Sequence, residues 1–415
     1  MQKKSSSILN IVVFVAALGY FVDIYDLLLF TIVREPSIKA LGITDPAVIL
    51  TASAKIINLQ MVGMLIGGIV WGMLGDKKGR LSVLFGSIIL YSIANIFTGF
   101  AHNVDQYAWA RFAAGLGLAG ELGAGITLVS ELLPKEKRGI GTSFVAGIGL
   151  SGAVVAWMVF HFTSSWRACY FIGGGLGFML LILRISVAES GMFTEIKEQN
   201  IARGNFLMFF TKGYRFKKYM KAILIGLPTW FCIGILINYS NRFAKELYGA
   251  NQIDSGKAIM YAYIAISLGD IFIGFVSQWM KSRKKPLYIF YALTIISIIL
   301  FLSPLNNSDT SMYWLCAALG FSTGFWAIFV TMGAEQFGTN LRATAATTIP
   351  NMVRGALPLM TILFLYFKTT FASQQCATPM IKSAAITGAI ALVIAIIAAY
   401  FTEETFTKEL NYVEE

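Results

Sequence analysis

Gly72-Met-Leu-Gly-Asp76-Lys-Lys-Gly79-Arg80 joins two long, predominantly apolar runs, at 48–75 and 82–100. Four charges, Asp76, Lys77, Lys78 and Arg80, are crowded into this short stretch. A bilayer core of about 30 Å takes about 20 helical residues to cross, and each flanking run reaches that length. The charged loop is therefore the place where the chain meets water between two crossings. Moved outward, the same ruler finds ten more runs. The first six crossings fall at 9–33, 48–75, 82–100, 106–132, 140–162 and 168–187. The last six fall at 219–242, 256–281, 286–304, 311–333, 344–368 and 380–401.

Composition agrees. Of 415 residues 56% are apolar and only 13% charged, with a mean hydropathy of +0.68. These figures exclude a disordered chain, a collagen and an ordinary soluble enzyme. A β-barrel is excluded by run length and by the lack of sustained alternation. Helices satisfy their own backbone in lipid, so the expected fold class is an all-α membrane protein with twelve transmembrane helices. The net charge of +11 does not indicate nucleic acid, because the basic residues sit in short clusters between apolar runs. Cys169, Cys232, Cys316 and Cys376 show no C-x-x-C spacing, and His102 and His161 are the only histidines. No metal or other cofactor is expected, and Met1 to Asn10 reads as no cleavable signal.

Loop cations set the orientation. Lys3 and Lys4, Lys77/Lys78/Arg80, Lys135/Lys137/Arg138, Lys281/Arg283/Lys284/Lys285, and Arg203 to Lys218 share one side if twelve helices alternate. Both termini are expected in the cytoplasm, and the compact loops suit a bacterial inner membrane. The stretch at 188–218 is polar and mixed in charge, either a solvated linker or partly amphipathic through Phe206, Leu207, Phe209 and Phe210. It separates an expected bundle at 1–187 from another at 219–415. The chain also repeats. Glu131…Arg138 recurs as Glu335…Arg342, 204 residues later, and the Gly72 loop recurs from Gly274, 202 residues later. Two motifs at nearly one offset indicate two pseudo-symmetric six-helix bundles, which enclose a site near the midplane.

The pattern G-x-x-x-D-K-x-G-R from Gly72 to Arg80 resembles the signature loop of the major facilitator superfamily. Further stretches are similar to its sugar-porter and metabolite:proton-symporter branches. They are Asp23-Ile-Tyr-Asp26, Arg111…Gly115-x-Gly117-x-x-Gly120-Glu121, Glu131 to Gly139, Trp166-Arg167, Arg184 with Glu189-Ser190-x-x-Phe193, and Glu335…Arg342. Two departures stand out. Gln278 occupies the second loop where an acid is common, which implies a weaker C-terminal latch. Ile24 stands where aromatic-acid symporters usually have Gly.

An ionisable residue at mid-membrane tends to face a cavity and be paired. Asp23, Asp26, Arg111, Glu121, Asp270 and Arg354 lie inside runs, with Lys55 near an outer end. Arg167 and Arg184 sit near span ends, where snorkelling or interfacial pairing is the expected reading. Asp23 and Asp26 are three apart and share a helical face. Two such acids cannot both ionise cheaply in lipid, so they suit coupled proton uptake and release. The resemblance implies that Asp26 is the proton acceptor and Arg111 its ion partner; a purely structural pair is the alternative. Glu121 either takes part in coupling or bonds a neighbour, while the glycines around it mark close helix packing.

Arg354 and Asn351 share a face of the eleventh span, where a guanidinium suits a carboxylate or phosphate. Arg354 either contacts substrate or pairs with Asp270. Tyr25, Asn58, Gln60, Trp230, Asn238, Tyr239 and Trp326 are the candidate polar and aromatic lining, against a packing or interfacial role. For the loop, the resemblance implies a gate. Asp76 would face the start of the eleventh span and join a charge network with Glu131 and Arg138; Gly72, Gly79 and Arg80 of the loop, with Glu335 and Arg342 of the repeat, complete the gating set, and Gly79 permits a tight turn. Such contacts would form only when one side is closed.

These readings lead to a proton-coupled symporter importing a small polar metabolite, an organic anion given Arg354, by alternating access. It would act as a monomer in a lipid bilayer, with protons and a small molecule as partners. No enzyme motif occurs. A proton-coupled exporter is the alternative, although the fifth span lacks the exporter run Gly-x-x-x-Gly-Pro-x-x-Gly-Gly. A non-transporting receptor would have no need of the charges in spans one and four.

Overall fold

A computed structural model describes residues 11–134, 137–184, 204–250 and 253–414. The motif at Glu189-Ser190-x-x-Phe193 and most of the 188–218 stretch lie outside the described residues. Among the described residues twelve helices are long and apolar enough to cross a membrane. In chain order they are span one (Val13–Ala40), two (Thr51–Lys78), three (Arg80–Gly99), four (Val104–Leu132), five (Arg138–Thr163) and six (Trp166–Arg184). Seven to twelve are Gly213–Ile237, Ser255–Trp279, Lys284–Leu302, Asp309–Glu335, Arg342–Ser373 and Pro379–Tyr400.

Every expected crossing has its helix, and the boundaries shift for physical reasons. Span one runs on to Ala40 through Arg34, Glu35 and Lys39, polar residues that water permits once the helix has left the lipid. Span seven starts at Gly213, ahead of the expected 219. Its first turns are amphipathic, with Arg215 and Tyr219 buried and Tyr214, Phe216 and Lys217 exposed. The preceding Phe206–Phe210 segment behaves similarly. Phe209 is fully buried and stacks on Tyr219 at 4.4 Å, whereas Leu207 and Phe210 are exposed.

Spans two and four pack closely because glycines remove the side chains between them. A Cβ on Gly115 would lie 2.2 Å from the carbonyl oxygen of Gln60. Span two also lies against span eleven, and span five against span eight. With contacts of span four on eleven and of span five on ten, they join the first six helices to the last six.

Several spans are interrupted: four after Leu118, seven at Gly226 and through a π-helical turn at Cys232–Ile237, ten between Ser322 and Trp326, and eleven at Ala356. A break frees backbone groups that lipid cannot satisfy, and side chains meet them. Trp71 Nε1 donates to Leu116 O at 2.6 Å, beside the break in span four. Tyr291 Oη donates to Ile225 O at 2.8 Å in span seven. In span ten Thr294 Oγ1 donates to Ser322 O at 3.0 Å, and Asp270 Oδ1 accepts from Ala327 N at 2.9 Å.

Candidate functional site

Asp26 of span one and Arg111 of span four are both completely buried. Arg111 holds the carboxylate with two nitrogens, Nη1 to Oδ1 at 2.9 Å and Nη2 to Oδ2 at 3.1 Å. Its remaining donors go to Asn95 Oδ1 at 2.8 Å, Gln60 Oε1 at 3.3 Å and the Asp26 carbonyl at 3.3 Å, and its Cζ lies 5.3 Å from the Tyr170 ring centre. A bidentate fork of this kind is strong and directional. Removing either charge alone would strand the other in a dry interior, at about 3–5 kcal/mol.

Asp23, one helical turn away, is equally buried, and its Oδ1 has no hydrogen-bond partner. No ion pair to it occurs among the described residues. Glu121 is paired: Arg184 Nη2 reaches its Oε2 at 2.6 Å, Arg184 Nη1 its Oε1 at 2.9 Å, and Ser87 Oγ donates to Oε1 at 2.7 Å. Arg184 therefore corrects the snorkelling expectation. It is 1% exposed and turns inward, because Glu121 offers a stronger partner than the headgroup region. Arg167 donates to Ala101 O at 2.9 Å and lies over the Trp166 ring. Lys55 pairs with Asp105 at an exposed position.

Arg354 is 4% exposed and does not pair with Asp270. Asp270 instead caps the second half of span ten through Ala327 N, which places its carboxylate on the helix dipole. Arg354 Nη1 donates to Asn351 Oδ1 at 2.9 Å, and its Nε has no partner. The guanidinium lies 5.8 Å from the Trp230 ring centre and 5.7 Å from that of Trp326. With Tyr20, Thr229 and Tyr263 these groups line a cavity of about 20 Å³, enough for one water. The hydroxyls of Tyr20 and Thr229 and the indole N–H of Trp230 are buried without partners. They are unspent donors around a cation, suited to a carboxylate with polar substituents. Tyr20, Thr229 and Tyr263 were legible only as ordinary polar residues of apolar runs.

A second chamber of about 420 Å³ opens on the face opposite the signature loop. Arg34, Glu35 and Trp157 contribute from the first six spans, Asn238, Asn241 and Asp254 from the last six. On span one Leu27 belongs to the inner cavity and Thr31 to the outer chamber, so about one helical turn, ~6 Å, separates the two.

The proposed lining residues divide accordingly. Trp230 and Trp326 line the inner cavity and Asn238 the outer chamber. Asn351 holds Arg354 and also donates to Ala119 O at 3.1 Å, bridging spans eleven and four. Gln60 belongs to the Asp26–Arg111 cluster. Tyr25 is buried and donates to Cys169 O at 2.9 Å, Tyr239 stacks on Phe364, and Asn58 is exposed. These last three line neither chamber as described.

The signature loop docks on the start of span eleven. Asp76 caps the N-terminus of span eleven: Oδ1 accepts from Ala343 N at 3.0 Å, and Oδ2 from Thr344 N at 2.9 Å and Thr344 Oγ1 at 2.6 Å. Gly72 lets the backbones approach; a Cβ there would lie 2.9 Å from Thr344 Cα. Gly79 has φ +103°, a backbone that only glycine adopts without strain. Arg80 Nη2 binds Glu131 Oε1 at 2.8 Å, and Arg342 Nη1 binds the same oxygen at 3.0 Å. The repeat reproduces the first pair, with Arg283 Nη2 on Glu335 Oε1 at 3.2 Å.

Gln278 does not reproduce the Asp76 cap, and its Oε1 is buried without a partner. The two latches are therefore unequal.

The segment after span twelve, which carries Glu403, Glu404, Glu409 and Glu414, packs on the same cluster. Arg342 donates to Leu410 O, Arg138 Nη1 to Lys408 O at 3.3 Å, and Thr405 Oγ1 to Glu335 Oε2 at 2.7 Å. Thr339 N donates to Tyr412 O at 2.8 Å. Leu410 is fully buried. As sequence, this segment showed only scattered glutamates.

Comparison with known proteins matches this architecture. Residues 9–357 fit the family model of the Major Facilitator Superfamily. A protein of Cupriavidus pinatubonensis named for 4-methylmuconolactone transport is 28% identical over 346 residues, covering 79% of this chain and 76% of that protein. A sialic acid transporter of Escherichia coli is 26% identical over 362 residues, 82% of each. A proton:xylose symporter structure superposes with a TM-score of 0.76 at 17% identity, covering 97% of both chains. The twelve-span architecture, the latched signature loop and the match along most of its length make this chain a transporter of the major facilitator superfamily.

Proposed function

We propose that this transporter is a proton-coupled symporter that imports a small organic anion by alternating access. The observation carrying the reading is the buried Asp26–Arg111 fork beside Asp23, a carboxyl with no cation of its own. Ionised Asp26 closes the fork. A proton on Asp26 weakens it and lets span one move against span four, so proton binding and helix rearrangement are linked.

Arg354 between Trp230 and Trp326 is the substrate anchor, with the unspent donors of Tyr20 and Thr229 around it. The relatives named for sialic acid and 4-methylmuconolactone support a carboxylate as the cargo. The loop-cation pattern supports a cytoplasmic signature loop in a bacterial inner membrane, with the outer chamber opening outward. The bundles at either end of the chain are the rocking units, and one copy is sufficient.

Proteoliposomes test the reading. An inward proton gradient should drive accumulation of an organic acid above its outside concentration. Substrate movement against the proton flow would establish an exporter instead, and absence of any movement, with ligand binding retained, a receptor.

A further inference from the structure

Span seven enters the membrane as Gly213-Tyr-Arg-Phe-Lys-Lys-Tyr-Met-Lys221. Four-residue spacing sorts one side of it into two neighbouring stripes. Phe216, Met220 and Leu224 make an apolar stripe; Lys217 and Lys221 run beside it. With Phe401, which follows span twelve, these residues line an open groove of about 490 Å³. Phe216, Lys217 and Phe401 are exposed.

The cations there are under-compensated. Lys221 Nζ donates to Phe401 O at 2.6 Å, which leaves two of its three protons uncommitted. Lys217, Lys218 and Lys284 stand close enough to repel it, with Glu403 opposing them. Lys284 is itself engaged by the carbonyls of Tyr400 and Thr402 at 3.0 and 2.6 Å, and Lys218 lies over the Tyr214 ring.

We propose that this groove binds one acidic phospholipid, with its phosphate on Lys217 and Lys221 and an acyl chain along Phe216, Met220 and Leu224. Charge complementarity selects the occupant. The apolar stripe demands an amphiphile, and the surplus of ammonium groups favours an anionic headgroup over a zwitterionic one. Seven residues of helix from Lys217 to Leu224 descend about 10 Å, the depth from phosphate level into the hydrocarbon. The site does not depend on proton coupling. It lies where the tail leaves span twelve toward the start of span eleven, so an occupied groove braces the root of that tail.

The experiment titrates the purified transporter in detergent with phosphatidylglycerol, phosphatidylcholine or glycerol 1-phosphate and follows thermal unfolding. Phosphatidylglycerol should raise Tm saturably, phosphatidylcholine much less, and glycerol 1-phosphate not at all. K217Q/K221Q should keep the lipid-free Tm. At about fivefold per lysine, it should need about 25-fold more phosphatidylglycerol for the same shift. K77Q/K78Q, on the same face but outside the groove, should respond as wild type.

Equal responses to the two lipids, a full response to glycerol 1-phosphate, or equal loss in K77Q/K78Q would overturn the site. Should K217Q/K221Q unfold, native mass spectrometry of the delipidated wild type decides. One retained phosphatidylglycerol supports the groove; none, or as much phosphatidylcholine, rejects it.

Discussion

Asp26→Asn removes the charge of span one and leaves Arg111 only a neutral acceptor, so a lower thermal midpoint from the stranded cation is expected and transport is read on the fraction that stays folded. This variant should exchange substrate across proteoliposomes at close to the wild-type rate yet fail to accumulate it down a proton gradient. Undiminished accumulation would take Asp26 out of the engine. Arg354→Ala removes a charged hydrogen-bond donor worth about 1.5–3 kcal/mol, so affinity for a carboxylate should fall about 10- to 100-fold by calorimetry. The uncharged amide of the same compound should lose far less; equal losses would make Arg354 a packing residue.

Sequence reasoning identified these two residues because a charge inside an apolar run has few physical reasons to be there. It was silent where one residue type has two cheap destinations. An arginine ending a span can snorkel outward or turn inward, and only the position of Glu121 decides for Arg184. Gln60 and Tyr25 were assigned to the wrong surroundings because lipid-facing and protein-facing positions are both apolar, which leaves helix rotation undetermined.

At the scale of the element, the Asp76 cap on span eleven and the left-handed Gly79 shape the signature loop. Gly79→Ala should cost about 1–3 kcal/mol of backbone strain and lower the thermal midpoint without touching a ligand. The tail has its own pH dependence. Glu404 is partly buried, which raises its pKa, but hydrogen bonds from Ser282 and from the amides of Arg283, Phe406 and Lys284 outweigh this and hold it below the ordinary glutamate value. A depressed carboxyl stabilises docking above its ordinary pKa, near 4.3, and loses that contribution as pH falls through the lower, folded value. A dye on Thr407→Cys, in a Cys376→Ser background, should therefore keep constant anisotropy from pH 7 to 5 and loosen only in stronger acid. Loosening near pH 6 would assign the docking to another group. The repeat behind the two latches was legible because offsets survive divergence. The breaks in spans four, seven, ten and eleven were not, since their freed carbonyls are met by distant side chains such as Trp71 and Tyr291.

For the molecule as a whole, the signature loop is docked on one face and a chamber stands open on the other. A membrane-impermeant thiol reagent should label Asn241→Cys rapidly in this arrangement. Asp76→Asn weakens the docked side and should slow that labelling by shifting the population away from it; an unchanged rate would detach the signature loop from the conformational balance. The same docking geometry has a practical corollary. The Asn340 side chain holds the Glu414 backbone at both ends, Glu414 N donating to Asn340 Oδ1 and Asn340 Nδ2 to Glu414 O, each at 2.9 Å, so a fluorescent protein fused beyond this point would be anchored beside the start of span eleven. Its emission, against an acceptor dye near Lys137, would follow turnover in living cells, whereas the same fusion used merely as a purification handle would bias the kinetics it was meant to leave alone.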